Sequence, residues 1–271
     1  YRWRMEGQPV AFPTEVREWG YINCAGADCH LLDGGRFIDA EEAFVVRVTP
    51  GRDTLLVTRL HPYSRGTLDV YANGERVARR WLPDLPGAWL DVHTLIPAAQ
   101  VTSSALHIRV VPDTPGGGYL PHWHGVYQGE YVSEPAPPQA VTTFQDKAIT
   151  LAYAGLAVNS GQDGDAELVV SLVWHSEGQA QGDYKVFVHV LNVDGSIAAQ
   201  ADTRSGGGAL VTGNWLPGTF QDDIVVNLAG VPQGRYRVAV GLYDPVTGTR
   251  LTPSAGGDDN ATVLIGEAER P

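Results

Sequence analysis

The chain has 271 residues, with 19 Lys or Arg against 31 Asp or Glu, so its net charge is −12. Both halves of the sequence are acidic, which argues against nucleic acid or an anionic membrane surface as a partner. No run of about 18 consecutive apolar residues occurs, so the sequence predicts no membrane span within this chain.

Short strands joined by turns are predicted for the first half. The 32 Gly and 18 Pro residues fall between short apolar runs, which is typical of an all-β protein. Asn73-Gly74 separates two alternating runs and predicts a type I′ hairpin turn, because both turn positions need positive φ. Residues 96–105 are the best candidate for a short helix. The predicted strands are 43–49, 54–60, 67–72, 75–81 and 105–111.

A proline-rich segment at 133–141 (SEPAPPQAV) divides the chain into two parts of normal domain size. Such a composition favours a stiff, extended linker. The predicted organisation is a β-sandwich at 1–133, a linker at 134–141 and a second β-sandwich at 142–271.

The second part contains about seven predicted strands separated by regularly spaced turns. This count and spacing are typical of an immunoglobulin-like sandwich. Asp194-Gly195 predicts a hairpin between two of the strands. The predicted strands are 148–157, 167–175, 184–193, 197–201, 223–228, 234–243 and 261–265.

Three stretches of the second part carry a family resemblance. They are 183–202 (DYKVFVHVLNVDGSIAAQAD), 214–218 (NWLPG) and 231–251 (VPQGRYRVAVGLYDPVTGTRL). With them, residues 142–265 resemble a sandwich module in the extracytoplasmic tails of bacterial membrane glycosyltransferases of the dolichyl-phosphate-mannose protein mannosyltransferase type. The resemblance implies an extracytoplasmic location, secreted or at the cell surface, and brings no catalytic motif with it.

The first part resembles galactose-binding-like, jelly-roll sandwiches. The resemblance is carried by residues 43–60, the hairpin 66–77 (GTLDVYANGERV) and the segment 89–113. Members of that fold family include sugar-binding domains and structural scaffolds. Fold analogy alone does not decide between these roles.

The residues best suited to a ligand lie in the segment 112–131 (PDTPGGGYLPHWHGVYQGEY). A sugar site needs flat aromatic faces for the apolar C–H face of a pyranose and polar groups for its hydroxyls. The alternative is a long loop at the end of the sandwich that packs its own aromatic side chains. The candidate ligand-binding residues are Tyr119, His122, Trp123, His124 and Tyr127, joined by Trp81 and Trp89.

Metal binding is a further hypothesis for this segment. His122 and His124 are two positions apart and would point to one side of an extended strand. A third ligand, such as Glu130 or His61, would have to come from elsewhere. The alternative is that both histidines pack or form hydrogen bonds among the aromatic side chains.

A structural calcium ion is the one cofactor considered, and its ligands would come from acidic turns. The candidates are 163–165 (DGD), 257–260 (GDDN) and the acids Asp39, Glu41 and Glu42. The alternative is solvated turns, which Asp and Asn stabilise through their own backbone.

The two cysteines, Cys24 and Cys29, are candidates for a disulfide across a small glycine-containing loop. Free thiols and half of a zinc site, with His30 adjacent, are the alternatives.

No catalytic motif is present: the sequence lacks a GxSxG elbow, an HExxH helix and a GxxxxGK[ST] loop. The leading hypothesis is therefore a non-catalytic extracytoplasmic module pair that binds carbohydrate, as the tail of a membrane-anchored, glycan-related protein. Its partner would be a glycan or a cell-surface protein. The alternatives are a purely structural or protein-interaction pair and, third, a polysaccharide-acting hydrolase with two facing carboxylates.

Overall fold

The computed structural model describes residues 2–4, 14–22, 30–62, 64–85, 89–115, 118–133, 135, 137–145, 147–160, 166–178, 180–258 and 260–271. These residues form strands and two short 3₁₀ turns, Ala98–Gln100 and Thr212–Asn214. No helix in this part of the chain is long and apolar enough to cross a membrane. The chain divides into two compact units, Tyr1–Tyr131 and Val132–Pro271.

The first unit is built from two antiparallel four-stranded sheets. The front sheet has the order β1-β10-β5-β8, the back sheet has the order β4-β9-β6-β7, and β2 and β3 pair as a separate hairpin. The strands are β1 (Arg2–Arg4), β2 (Thr14–Ile22), β3 (His30–Ile38), β4 (Glu42–Arg47), β5 (Asp53–His61), β6 (Gly66–Ala72), β7 (Glu75–Leu82), β8 (Leu90–Ile96), β9 (Ala105–Asp113) and β10 (Leu120–Gly129).

Alternation along the strands makes the core of this unit. In β8 every second residue is buried, from Leu90 to Ile96, and the residues between them are partly exposed. Successive side chains of a strand point to opposite faces, so one face of each sheet packs inward and the other faces outward. Leu56 of the front sheet and Ile108 of the back sheet are among the fully buried members.

The predicted Asn73-Gly74 hairpin is confirmed, with φ of 50° at Asn73 and 89° at Gly74. The helix expected at 96–105 is only a three-residue 3₁₀ turn. The segment expected to be an end loop is for the most part β10, which lies between β1 and β5 in the front sheet. Proline is tolerated there because the pairing of β10 with β5 is irregular between Pro121 and Trp123.

The second unit also consists of two four-stranded antiparallel sheets, in the orders β11-β12-β13-β16 and β15-β14-β17-β18. Consecutive strands change sheet at β13–β14, β15–β16 and β16–β17, which is the type of connection expected for an immunoglobulin-like sandwich. The strands are β11 (Thr142–Phe144), β12 (Ile149–Ser160), β13 (Ala166–Ser176), β14 (Lys185–Leu191), β15 (Ile197–Thr203), β16 (Gly218–Asn227), β17 (Gly234–Tyr243) and β18 (Val263–Arg270).

Aromatic packing and one tyrosine contact organise the second unit. Trp174 and Trp215 are buried with their ring centroids 5.8 Å apart, so both are structural. The Tyr236 hydroxyl donates a hydrogen bond to the Pro232 carbonyl at 2.8 Å. This contact, from the start of β17 to the preceding turn, has the form of the tyrosine corner of immunoglobulin-like sandwiches. The prediction of an all-β chain of two β-sandwiches is confirmed.

Candidate functional site

Two aromatic side chains of β10 form an apolar surface on the outward face of the front sheet. Trp123, Gly125 and Tyr127 occupy alternate strand positions and therefore share one face. A Cβ atom at Gly125 would lie 2.8 Å from the Trp123 ring and 3.0 Å from the Tyr127 ring, so both rings lean over the glycine. Tyr127 is 51% exposed. We call Trp123 and Tyr127 the aromatic platform.

A charged pair adjoins the platform across the neighbouring strands. Trp123 is paired with Arg59 of β5, and Arg59 with Asp91 of β8, so the three side chains form one row on the outward face. The Arg59 guanidinium donates two hydrogen bonds to the Asp91 carboxylate, both 2.8 Å long. The two side chains are 33% and 36% exposed, so the pair reaches solvent.

Two tryptophans hold the guanidinium in place. The Arg59 Cζ atom lies 5.2 Å from the ring centroid of Trp123 and 5.8 Å from that of Trp89. Such cation–π contacts, together with the bidentate pair, restrict the orientation of Arg59. The row therefore combines a flat apolar surface with a donor and an acceptor in fixed positions.

Histidines flank this row on two sides. His93, next to Asp91 along β8, is partly buried, and that burial lowers its pKa more than the Asp91 carboxylate raises it. His122 is the extra residue at the irregularity in β10, and its ring meets Trp89 edge-on at 6.2 Å. His61 is buried, and burial followed by the repulsion of His122 lowers its pKa to about 4. Burial lowers the pKa of both His61 and His93, so these two rings are neutral at pH 7.

A buried polar network lies on the opposite face of the same strands, between the two sheets. His124 Nδ1 is 2.9 Å from Thr58 Oγ1, and His124 Nε2 is 2.9 Å from Glu42 Oε1. The Tyr119 hydroxyl donates to the same Glu42 oxygen. Burial and the Glu42 carboxylate raise the pKa of Tyr119 well above its usual value, so the phenol stays a donor.

Thr58, His124 and Glu42 are connected in the order hydroxyl, imidazole, carboxylate, as in a catalytic relay, but all three side chains are buried. Thr58, His124 and Glu42 are 5%, 0% and 2% exposed, so substrate cannot approach the hydroxyl from solvent. Buried polar groups that are hydrogen-bonded to one another specify how the two sheets pack. The network is a structural feature of the core.

The structure separates the seven predicted ligand residues into different regions of the first unit. Three lie together around the outward row: Trp89, Trp123 and Tyr127. Three are buried within the unit: Tyr119, His122 and His124. Trp81 lies in the back sheet, opposite Thr67, between the inward-facing Arg80 and Leu82. Its side chain therefore faces outward on the other side of the sandwich.

Sequence reasoning missed Arg59, Asp91 and Gly125. The signal for Gly125 was the spacing Trp-x-Gly-x-Tyr, which places three residues on one face once the segment is read as a strand. Arg59 and Asp91 gave no local signal, because only the register of β10, β5 and β8 brings them beside Trp123.

The metal hypothesis for His122 and His124 does not fit the structure. Both ring nitrogens of His124 are engaged by Thr58 and Glu42, and the irregularity at His122 breaks the alternation on which the hypothesis depended. Within the described part of the chain, no group of three or more His, Cys, Asp or Glu side chains is placed to hold a metal ion.

The calcium candidates are dispersed. Glu42 belongs to the buried network, whereas Glu41 pairs with Arg109 at 2.9 Å. Asp258 accepts hydrogen bonds from the backbone amides of Asn260 and Thr262, as in a solvated turn. The candidates at 163–165 and at 259, and the disulfide candidates Cys24 and Cys29, lie outside the described residues.

No protein-family model and no curated protein sequence matches the chain. Among solved structures, the chain is similar to the N-terminal CBM22-1–CBM22-2 tandem domain of Paenibacillus barcinonensis Xyn10C, at 12% identity and a TM-score of 0.32, over 98% of this chain and 93% of that one. It is similar to a glycosyl hydrolase family 2 member from Bacteroides cellulosilyticus at 11% identity and a TM-score of 0.31, over 84% of this chain and only 29% of that one. The EclA C-terminal domain, a sugar-binding protein, is similar at 15% identity and a TM-score of 0.28, over 45% of this chain and 84% of that one. We draw no functional conclusion from likenesses this distant.

Proposed function

We propose that the first unit binds carbohydrate on the outward face of its front sheet. The observation that carries the proposal is the aromatic platform, in which the Trp123 and Tyr127 rings meet above Gly125. Stacking of a pyranose on such a surface buries the C–H face of the sugar against flat apolar groups. The Arg59–Asp91 pair beside the platform supplies the polar groups that fix the orientation of a ligand.

This site differs in place from the end-loop site expected from the sequence. β10 runs through the sheet, so Trp123 is flanked by β1 and β5 and Tyr127 is paired with β5, rather than either lying in a loop. A rigid support holds the aromatic rings in position before the ligand arrives, which lowers the entropy cost of binding.

We further propose that the chain is a non-catalytic module pair that works outside the cytoplasm, with the second unit as a spacer. The support is the resemblance of residues 142–265 to extracytoplasmic tail modules, together with the structural roles of Trp174, Trp215 and Tyr236. The hydrolase alternative stays a prediction.

The second candidate function is a protein-interaction pair, and one surface of the second unit favours it. Ala157, Val169 and Val225 form a row across β12, β13 and β16, and Val225 is 50% exposed. Tyr153, which is 60% exposed, lies on the same face. Apolar residues grouped on an outward sheet face are a common feature of protein interfaces.

Binding of the full chain to a panel of soluble polysaccharides, measured by affinity electrophoresis and then by calorimetry, tests the carbohydrate proposal. We expect Trp123→Ala to weaken binding at least about tenfold, because it removes half of the platform. Tyr153→Ala is the matched control, since the Tyr153 ring also lies over a strand glycine, Gly155, but belongs to the second unit. Retention of full binding in Trp123→Ala, or no binding by the wild-type chain to any polysaccharide, would contradict the proposal.

A further inference from the structure

The charge of the Arg59–Asp91 pair limits the kind of saccharide that the platform accepts. Both hydrogen bonds of the pair are 2.8 Å long, so the cation is already matched by an anion before any ligand binds. A bidentate pair of this kind has no net charge, yet it presents N–H donors beside carboxylate acceptors at a partly exposed edge.

The pair is also held in a fixed direction relative to the platform. The Arg59 Cζ atom lies 5.8 Å from the ring centroid of Trp89 and 5.2 Å from that of Trp123, and Arg59 is the direct cross-strand neighbour of Trp123. The Arg59 Cζ atom is 5.2 Å from the Trp123 ring centroid, so the pair lies close to a sugar ring that stacks on the platform. Hydroxyl groups project from the rim of a stacked pyranose, toward the position of the pair.

We propose that the ligand is a neutral saccharide, two adjacent hydroxyls of which bind to the Arg59–Asp91 pair, one accepting from Arg59 and the other donating to Asp91. This inference rests on the proposed function and adds the class of sugar. A hydroxyl both donates and accepts, so a pair of neighbouring hydroxyls satisfies a donor–acceptor edge without separating the two charges.

An anionic saccharide fits the same edge poorly. A uronate carboxylate bound to Arg59 would compete with Asp91 and lie next to its negative charge, and like charges at close range are costly. The net charge of −12 adds a weaker, long-range repulsion of polyanions. The row of Trp123, Arg59 and Asp91 therefore selects against uronates.

The test is calorimetric titration of the full chain with three hexasaccharides of equal length: xylohexaose and cellohexaose, which are neutral, and hexagalacturonate, which is anionic. We expect at least one neutral hexasaccharide to bind at least about tenfold more tightly than hexagalacturonate. We expect Asp91→Asn to weaken neutral binding about tenfold or more, because a charged acceptor is lost, and to strengthen hexagalacturonate binding, because the negative charge that repels a uronate is removed.

Asp69→Asn is the matched control. Asp69 forms the same bidentate pair with Arg79, at 2.8 and 2.8 Å, in the back sheet, so its loss should not change saccharide binding. Tighter binding of hexagalacturonate that depends on Trp123 would overturn this inference and leave the proposed function standing. Neutral binding that is unchanged in Asp91→Asn would do the same. If the chain binds none of the three hexasaccharides and none of the polysaccharides in the panel, both this inference and the proposed function are overturned.

Discussion

Replacement of Tyr119 with Phe tests the buried network of the first unit. The change deletes one hydroxyl and keeps the ring, so Glu42 Oε1 loses one donor and keeps His124 Nε2 at 2.9 Å. Glu42 Oε2 is buried and accepts no hydrogen bond from the described residues, so the carboxylate has little else to stabilise it.

The size of the effect follows from the charge of the acceptor. A hydrogen bond to a charged group contributes about 1.5–3 kcal/mol to stability, and one between neutral groups contributes about 0.5–1.5 kcal/mol. We therefore expect Tyr119→Phe to lower the free energy of unfolding of the first unit by about 2–3 kcal/mol, a change of about 30- to 150-fold in the opening equilibrium.

Hydrogen–deuterium exchange read by mass spectrometry measures this change separately in each unit. Peptides from β4, β5 and β10 should exchange faster in Tyr119→Phe by that factor, and peptides of the second unit should not change. Tyr236→Phe is the matched control, because the buried Tyr236 hydroxyl donates to a neutral carbonyl, that of Pro232. Its effect should be smaller and confined to the second unit. If Tyr119→Phe costs no more than Tyr236→Phe, the view that the hydrogen bond from Tyr119 to Glu42 is stronger than one to a neutral carbonyl is refuted.

Two further predictions concern a buried histidine and a strand glycine. Burial lowers the pKa of His61 from 6.5 to about 4. Between these two pH values the unfolded chain binds one more proton than the folded chain. The free energy of unfolding therefore falls as the pH falls from about 6.5 to 4, by up to about 3 kcal/mol. Denaturant titrations across this range should show a flatter pH profile in His61→Gln than in the wild-type chain. Gly241→Ala would place a Cβ atom 2.2 Å from the buried Phe187 ring and should cost about 2 kcal/mol or more in thermal melts. Gly129→Ala, which meets no atom within 4 Å, should change stability by less than about 0.5 kcal/mol.

The sequence predicted those strands whose signals are local. The hairpin of β6 and β7 is the best example, because the alternating runs and the Asn73-Gly74 turn are contiguous in the chain. The long apolar runs of β13, β14 and β17 were also found from their own composition. In each case the residues that define the element lie within the element.

β10 shows where this reasoning fails. Its proline, glycine and two histidines resemble a loop in composition, and nothing within the segment shows that β1 and β5 lie on its two sides. Strand formation here depends on pairing with residues of β5 that lie 59 (Leu120 with His61) to 76 (Gly129 with Asp53) positions away. Those partners are long-range in sequence, so tertiary pairing overrides the local preference.

The amino-acid sequence by itself determined the all-β class, the division into two sandwiches and the aromatic character of the candidate site. Only the tertiary structure decided which aromatic residues face solvent, since a single irregularity at His122 sets the face of every residue along β10. The same holds for Arg59 and Asp91, which join Trp123 through the register of three strands that are distant in the chain. Each residue type determines its own side-chain chemistry. The assembly of a site depends on strand pairings between segments that are distant in the chain.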